Sequence, residues 1–224
     1  MTLLTENLIL LALDYENERI DKGIFQGYIY GLHTALLADL ELLGNIKVIN
    51  DTLEIISPIP TGNGLLDKTL GIIINIGEKL SLIKLIEYLS IELKDIEEKI
   101  LNNLVDKEIL EKREEKFLWI FPREKIRPER PDIELDIRGK IRDILIHGQK
   151  PNKKMIHLLS ILYACNLIPF LFIDDEERSI ALKNAKTLTN GDNFGVAIIE
   201  VIKRMLERQA FQKMHRMMIF PGYA

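Results

Sequence analysis

Cys165 is the only cysteine in 224 residues. An internal disulfide is excluded, so the core has to hold by packing, which a chain of this length can do. Such sparing use of thiol suits a reducing compartment. Tyr163 and Ala164 precede it, an apolar setting that fits a buried, unreactive sulfur. Long hydrophobic runs are missing too. The longest, Leu158 to Ile173, is interrupted by Ser160, Asn166 and Pro169 and falls short of the roughly 20 apolar residues that cross a bilayer. Glu6 lies ahead of Leu8 to Leu13 and no basic region precedes them, so no secretory leader is expected. Neither sign of charge dominates: 30 basic and 34 acidic residues leave a net charge of −4. That excludes a chain built as a whole to bind nucleic acid. The expected location is cytoplasmic, at most peripheral at a membrane surface.

Catalytic signatures are absent as well. The four histidines, His33, His147, His157 and His215, form no H-E-x-x-H pattern and no close pair with cysteine or carboxylate at metal-ligand spacing. There is no G-x-S-x-G elbow and no G-x-G-x-x-G turn. No catalytic residue, metal ligand or cofactor is assigned.

What the chain has is helical period. Leu80, Ile83, Leu85, Ile86 and Leu89 form one apolar stripe. Leu93, Ile96, Ile100 and Leu104 form a second, on a helix that Ser90 is placed to start. Ile133, Ile137, Ile141, Ile144 and Leu145 form a third, after Pro131 and before Gly148. Lys153 to Asn166 and Glu176 to Leu188 read as two more helices, and a last amphipathic helix is predicted over 194–217. Its basic residues and methionines suit an anionic leaflet, and equally a helix packed on the core.

Two regions break the helical pattern. Ile46 to Ile56 alternates as a short strand pair about Asn50-Asp51. Residues 109–121 read as a hairpin with a charged turn at Arg113-Glu114-Glu115, returning through Phe117-Leu118-Trp119-Ile120-Phe121. After it, Pro122, Pro128 and Pro131 frame a stiff basic loop with Arg123, Lys125, Arg127 and Arg130. The expected fold is mainly α. It is one compact multi-helix domain over 1–224, with a winged-helix-like portion (helix, helix, hairpin) and one or two short β-hairpins.

Pro58-Ile59-Pro60-Thr61-Gly62-Asn63-Gly64-Leu65-Leu66-Asp67-Lys68-Thr69-Leu70 joins a proline-glycine turn to a helix start. It lacks the lysine and spacing of a phosphate loop, so it reads as a structural turn. With three other blocks it carries a resemblance. These are Leu8 to Asp14, then Gly31-Leu32-His33-Thr34-Ala35-Leu36-Leu37-Ala38-Asp39-Leu40-Glu41-Leu42-Leu43-Gly44-Asn45-Ile46, then Asn103 to Lys107 with the hairpin after it. In order and separation they resemble the Golgi phosphoprotein 3 family of phosphoinositide-binding peripheral membrane proteins, over about residues 3 to 205. The resemblance implies a phosphatidylinositol 4-phosphate pocket made by an aromatic residue, an arginine after Gly-Leu, and two arginines a helical turn apart. It also implies self-association through the hairpin, to which Leu118, Trp119 and Phe121 would contribute.

This chain departs from the pocket pattern. His33 follows Gly31-Leu32, Ile24 and Phe25 stand at the aromatic position, and Lys94 and Glu97 replace the two arginines. At about 1 kcal/mol per basic residue near an anionic surface, the loss is about 3 kcal/mol, on the order of a hundredfold in affinity. No basic N-terminal arm precedes the blocks, so the family's cargo-adaptor role is not carried over. The expectation is a non-catalytic peripheral protein that meets anionic phospholipid headgroups through His33, Lys94, Phe25 and Ile24. The alternative is an interaction or oligomeric scaffold module that has lost the lipid site.

Overall fold

Residues 2–14, 18–20, 27–49, 51–77, 80–117 and 121–219 are described in a computed structural model, with backbone alone for 114–117, 121–124, 209, 210 and 212–219. In chain order, α1 (Leu4–Leu11) leads through the two-residue strands β1 (Leu13–Asp14) and β2 (Arg19–Ile20) to α2 (Tyr28–Leu42). The pair β3 (Ile46–Ile49) and β4 (Thr52–Ile55) follows, then α3 (Gly64–Ile76), α4 (Leu82–Glu92) and α5 (Ile96–Asp106). Strands β5 (Leu110–Phe117) and β6 (Phe121–Pro128) form a hairpin, and α6 (Pro131–Leu145), α7 (Lys153–Ala164), α8 (Asp175–Leu188) and α9 (Asn193–Ile219) complete the described chain. The fold is mainly α, and its strands pair only as small antiparallel hairpins.

Helix α2 is the axle. Gly31 through Leu40 are all buried, because this helix is apolar on every side and packs against α1, α3, α4, α5, α7 and α9. Gly31 sets the approach of α7: a Cβ there would stand 2.7 Å from Cys165 Sγ. Cys165 is fully buried, and burial pushes its thiol up to about 12, so it is the inert sulfur its sequence context implied.

A buried helix leaves its polar side chains no water, so each needs a protein partner. Thr34 donates its hydroxyl to Tyr30 O at 2.8 Å. Asp39 caps another helix: it accepts from the amides of Leu4 at 2.7 Å and Thr5 at 3.1 Å, and from the Thr5 hydroxyl at 3.1 Å. The first amides of α1 have no partner within their own helix, and Asp39 supplies one from across the core. Burial nonetheless pushes its carboxyl up to about 6 against those donors.

The proline-glycine segment is a structural turn. Asn63 accepts from the amides of Leu65 and Leu66, both at 3.1 Å, and so caps α3. Asp67 reaches back to the amide and hydroxyl of Thr61 and to the amide of Gly62.

Two boundaries differ from the sequence reading. Helix α5 starts at Ile96 with Asp95 before it, while Ser90 sits inside α4 and donates to Glu87 O. The hairpin runs over 110–128 rather than 109–121. Arg113, Glu114 and Glu115 are strand residues paired with Lys125, Glu124 and Arg123, so the charged run is not the turn and the basic loop is in fact β6. Pro122 and Pro128 are tolerated because β6 is an edge strand. The pairing closes at Phe117 with Phe121. Leu118 and Trp119, named as oligomer contacts, lie outside the described residues.

Replacing Asp39 with alanine leaves two amides and a hydroxyl without an acceptor in the core. We expect about 3 kcal/mol of lost stability, read as a lowered urea midpoint with an unchanged slope.

Candidate functional site

Of the residues at the resemblance's pocket positions, the structure describes His33, Lys94 and Glu97, and it brings His33 to Leu93, next to Lys94 in the chain. His33 is 0% exposed. Its Nδ1 lies 2.7 Å from Ile29 O and its Nε2 3.1 Å from Leu93 O. Leu93 is the C-terminal cap of α4, so the ring ties the end of that helix to α2. Burial pushes the His33 pKa below the ordinary histidine value, against the pull of the two carbonyls. A ring sealed from solvent between two carbonyl oxygens offers nothing to a phosphate. His33 is therefore withdrawn as a headgroup contact.

Lys94 is exposed at the corner between α4 and α5. The corner is not cationic. Residues 92–99 hold Glu92, Asp95, Glu97 and Glu98 against Lys94 and Lys99, and Lys99 is already paired with Asp95 at 2.7 Å. Lys68 adds a third ammonium beside Asp95 without reversing the balance. Glu97 lies near the buried Tyr28 hydroxyl. Burial first, then the Glu97 charge, push that phenol well above its usual range. Ile24 and Phe25 lie outside the described residues.

The basic residues of β6 do not compensate. Lys125 and Arg127 both pair with Glu18, Lys125 at 2.8 Å. Ile126 N donates to Glu18 O at 2.7 Å, so this acid fastens the hairpin base to the β1–β2 connection. Arg130 is held bidentately by Asp132 at 2.9 and 2.7 Å.

The family model described as Golgi phosphoprotein 3 (GPP34) matches residues 4–205. The chain belongs to the Golgi phosphoprotein 3 family. No curated protein matches it. Within the described residues of this Golgi phosphoprotein 3 family member, no helix is long and apolar enough to cross a membrane.

A cluster that the sequence did not reveal lies on the other side of α2. His157 of α7 points Nδ1 at Asp192 Oδ1, 2.8 Å away, and Nε2 at Glu41 Oε2, 3.1 Å away. Lys153 also reaches Glu41 at 2.8 Å, and Glu41 accepts the Val48 amide at 3.1 Å. Asp192 accepts the Gly195 amide at 3.2 Å, at the start of α9. An imidazole with two carboxylates has the parts of an acid–base relay. Here both ring nitrogens are already held by carboxylates, so neither is left for a substrate. The cluster is a clamp that joins α2, β3, α7 and α9.

Burial opposes the charge on His157, but the bonds to Asp192 and Glu41 outweigh it and raise its pKa above 6.5. Burial likewise opposes ionisation of Glu41, yet His157 and Lys153 pull it from 4.5 down to about 2. The raised histidine contributes stability that is full below pH 6.5 and is lost as pH rises through its folded pKa. The depressed Glu41 contributes stability present above pH 4.5 and lost as pH falls toward about 2. The stability difference between wild type and His157→Gln should therefore peak between about pH 4.5 and 6.5 and shrink on both sides, in urea titrations across pH. Restoring the family arginine tests the His33 site. His33→Arg puts a fixed charge into a sealed joint, and we expect a loss of about 3 kcal/mol in the same assay with no gain in vesicle binding.

Proposed function

We propose that this Golgi phosphoprotein 3 family member is a non-catalytic module that self-associates through the 110–128 hairpin and works peripherally at anionic lipid surfaces, without the family's headgroup corner. The observation that carries this reading is the build of the hairpin. Glu111-Lys112-Arg113-Glu114-Glu115-Lys116 are six charged residues in succession on β5, so the middle of the strand has no apolar face to set against a core. Among the described side chains of the hairpin, Leu110 and Ile126 at its base are the buried ones. Eight residues of strand extend roughly 25 Å. In sequence, the apolar run Phe117-Leu118-Trp119-Ile120-Phe121 joins the two strands at the end opposite that base. Five apolar residues in that position call for cover from a second surface, and a second copy presents the same apolar tip.

A second reading, headgroup binding at Lys94, has in its favour that Lys94 is exposed. The carboxylates around it oppose that reading.

The two separate in solution. Wild type should show a mass above the 25.9 kDa monomer in light scattering, and Trp119→Ala should return it toward the monomer. Lys94→Ala should float with anionic vesicles as wild type does. A Trp119→Ala protein that keeps the wild-type mass but no longer floats would make the hairpin a membrane wedge and reject the oligomer reading.

A further inference from the structure

A cleft of about 560 Å3 opens between the starts of α1, α6 and α7 and the segment that leaves α5. That volume lies in the range of small-molecule sites. Three ammonium groups line it, on Lys107, Lys140 and Lys154. Two are matched by carboxylates: Lys107 by Glu6 and Lys140 by Asp136, both at 2.5 Å. Asp132, the other acid in the wall, is held by Arg130.

Lys154 differs. Among the described residues its ammonium donates only to the carbonyl oxygen of Thr2, which brings no charge. Burial pushes its pKa below the ordinary lysine value, and Lys140 adds to that push against the longer-range pull of Asp39 and Glu6. Asp39 cannot turn toward Lys154 to neutralise it, because its carboxylate is committed to α1. One half-buried cation thus faces the cleft without a contacting counter-charge, with a second ammonium beside it. The opposite part of the wall is apolar, with Ile133, Ile137 and Met155.

We propose that this cleft is a site for a phosphate ester, its charge held by Lys154 and Lys140 and its organic part resting on Ile133, Ile137 and Met155. Phosphate suits the geometry better than carboxylate. Its oxygens point in several directions, matching ammonium groups that approach from two helices, whereas a carboxylate offers two oxygens in one plane. A compact ammonium serves phosphate as a point charge and needs no planar fork. The chemistry is shared by a soluble phosphate ester and by a phospholipid headgroup. Ile109 at the foot of the hairpin lines the site, while neither His33 nor Lys94 is in its described lining.

The test uses the full chain. Glycerol 3-phosphate is titrated calorimetrically, and flotation is measured on phosphatidylcholine vesicles with and without phosphatidic acid. Wild type should bind saturably. Lys154→Met should weaken binding at least about tenfold, the worth of one charged hydrogen bond, and exposed Lys140→Gln by a smaller factor. Lys94→Ala should bind as wild type. Lys154-dependent binding in both arms, or in the vesicle arm alone, supports a lipid headgroup as the source. Binding in the soluble arm alone supports a free phosphate ester. No saturable binding in either arm, or unchanged binding by Lys154→Met and Lys140→Gln, overturns the site. Light scattering on the same samples reads the hairpin contact separately.

Discussion

The burial of α2 from Gly31 to Leu40 governs the rest of this molecule. A helix segment with no solvent face gains packing on every side, but it gives up water as a partner for its polar atoms. Each polar side chain there must therefore find a protein partner, and those that reach beyond α2 fix another element. Asp39 fixes the start of α1, and His33 fixes the end of α4. Glu41, where the helix emerges, gathers β3 and α7. The apolar residues between them supply most of the stabilisation. The polar ones decide which helix end sits where.

That constraint explains why histidine and arginine are not equivalent at position 33. An arginine is always charged, and in a joint sealed from solvent that charge would have no water and no acid to meet it. A histidine is short and sheds its charge when buried. At this point of α2 its ring stays inside, with Nδ1 beside Ile29 O and Nε2 beside Leu93 O, and the neutral ring donates to one of the two. The ring at position 33 is thus an inward tie. With Glu97 beside Tyr28, the corner is a packing joint.

The parts of the fold that sequence made legible are those governed by local rules. The stripes at helical spacing in α4, α6 and α7 bury the residues that periodicity selects, such as Ile137, Ile141 and Ile144. The Asn63 cap follows from turn chemistry. The hairpin's bounds differ because six charged residues in succession on β5 leave no apolar alternation to detect, so the run has the look of a loop. Ser90 has the chemistry of a cap but sits where helix continues. The roles of Asp39 and Glu41 were hidden because their partners lie 35 and 116 residues away. Two acids in an apolar helix were the available signal: such groups almost always have buried partners. Only the three-dimensional arrangement says which.

The distribution of charge bears on how such a protein can act at a surface. Among the described residues, many cations face carboxylates of their own chain, such as Lys125 and Arg127 on Glu18, Lys153 on Glu41, Arg142 on Glu177 and Arg208 on Glu87. Pairs of this kind steady the surface but add little attraction for an outside anion, because the net field is near zero. One lysine without a carboxylate partner gains about 1 kcal/mol at an anionic membrane, too little to hold a protein there. On the proposed self-association, copies joined at their hairpins would present several such contacts at once. The second contact then forms at the high effective concentration set by the first, so weak sites sum to useful binding. On the proposed reading, assembly would do the work that a cluster of arginines does in one pocket.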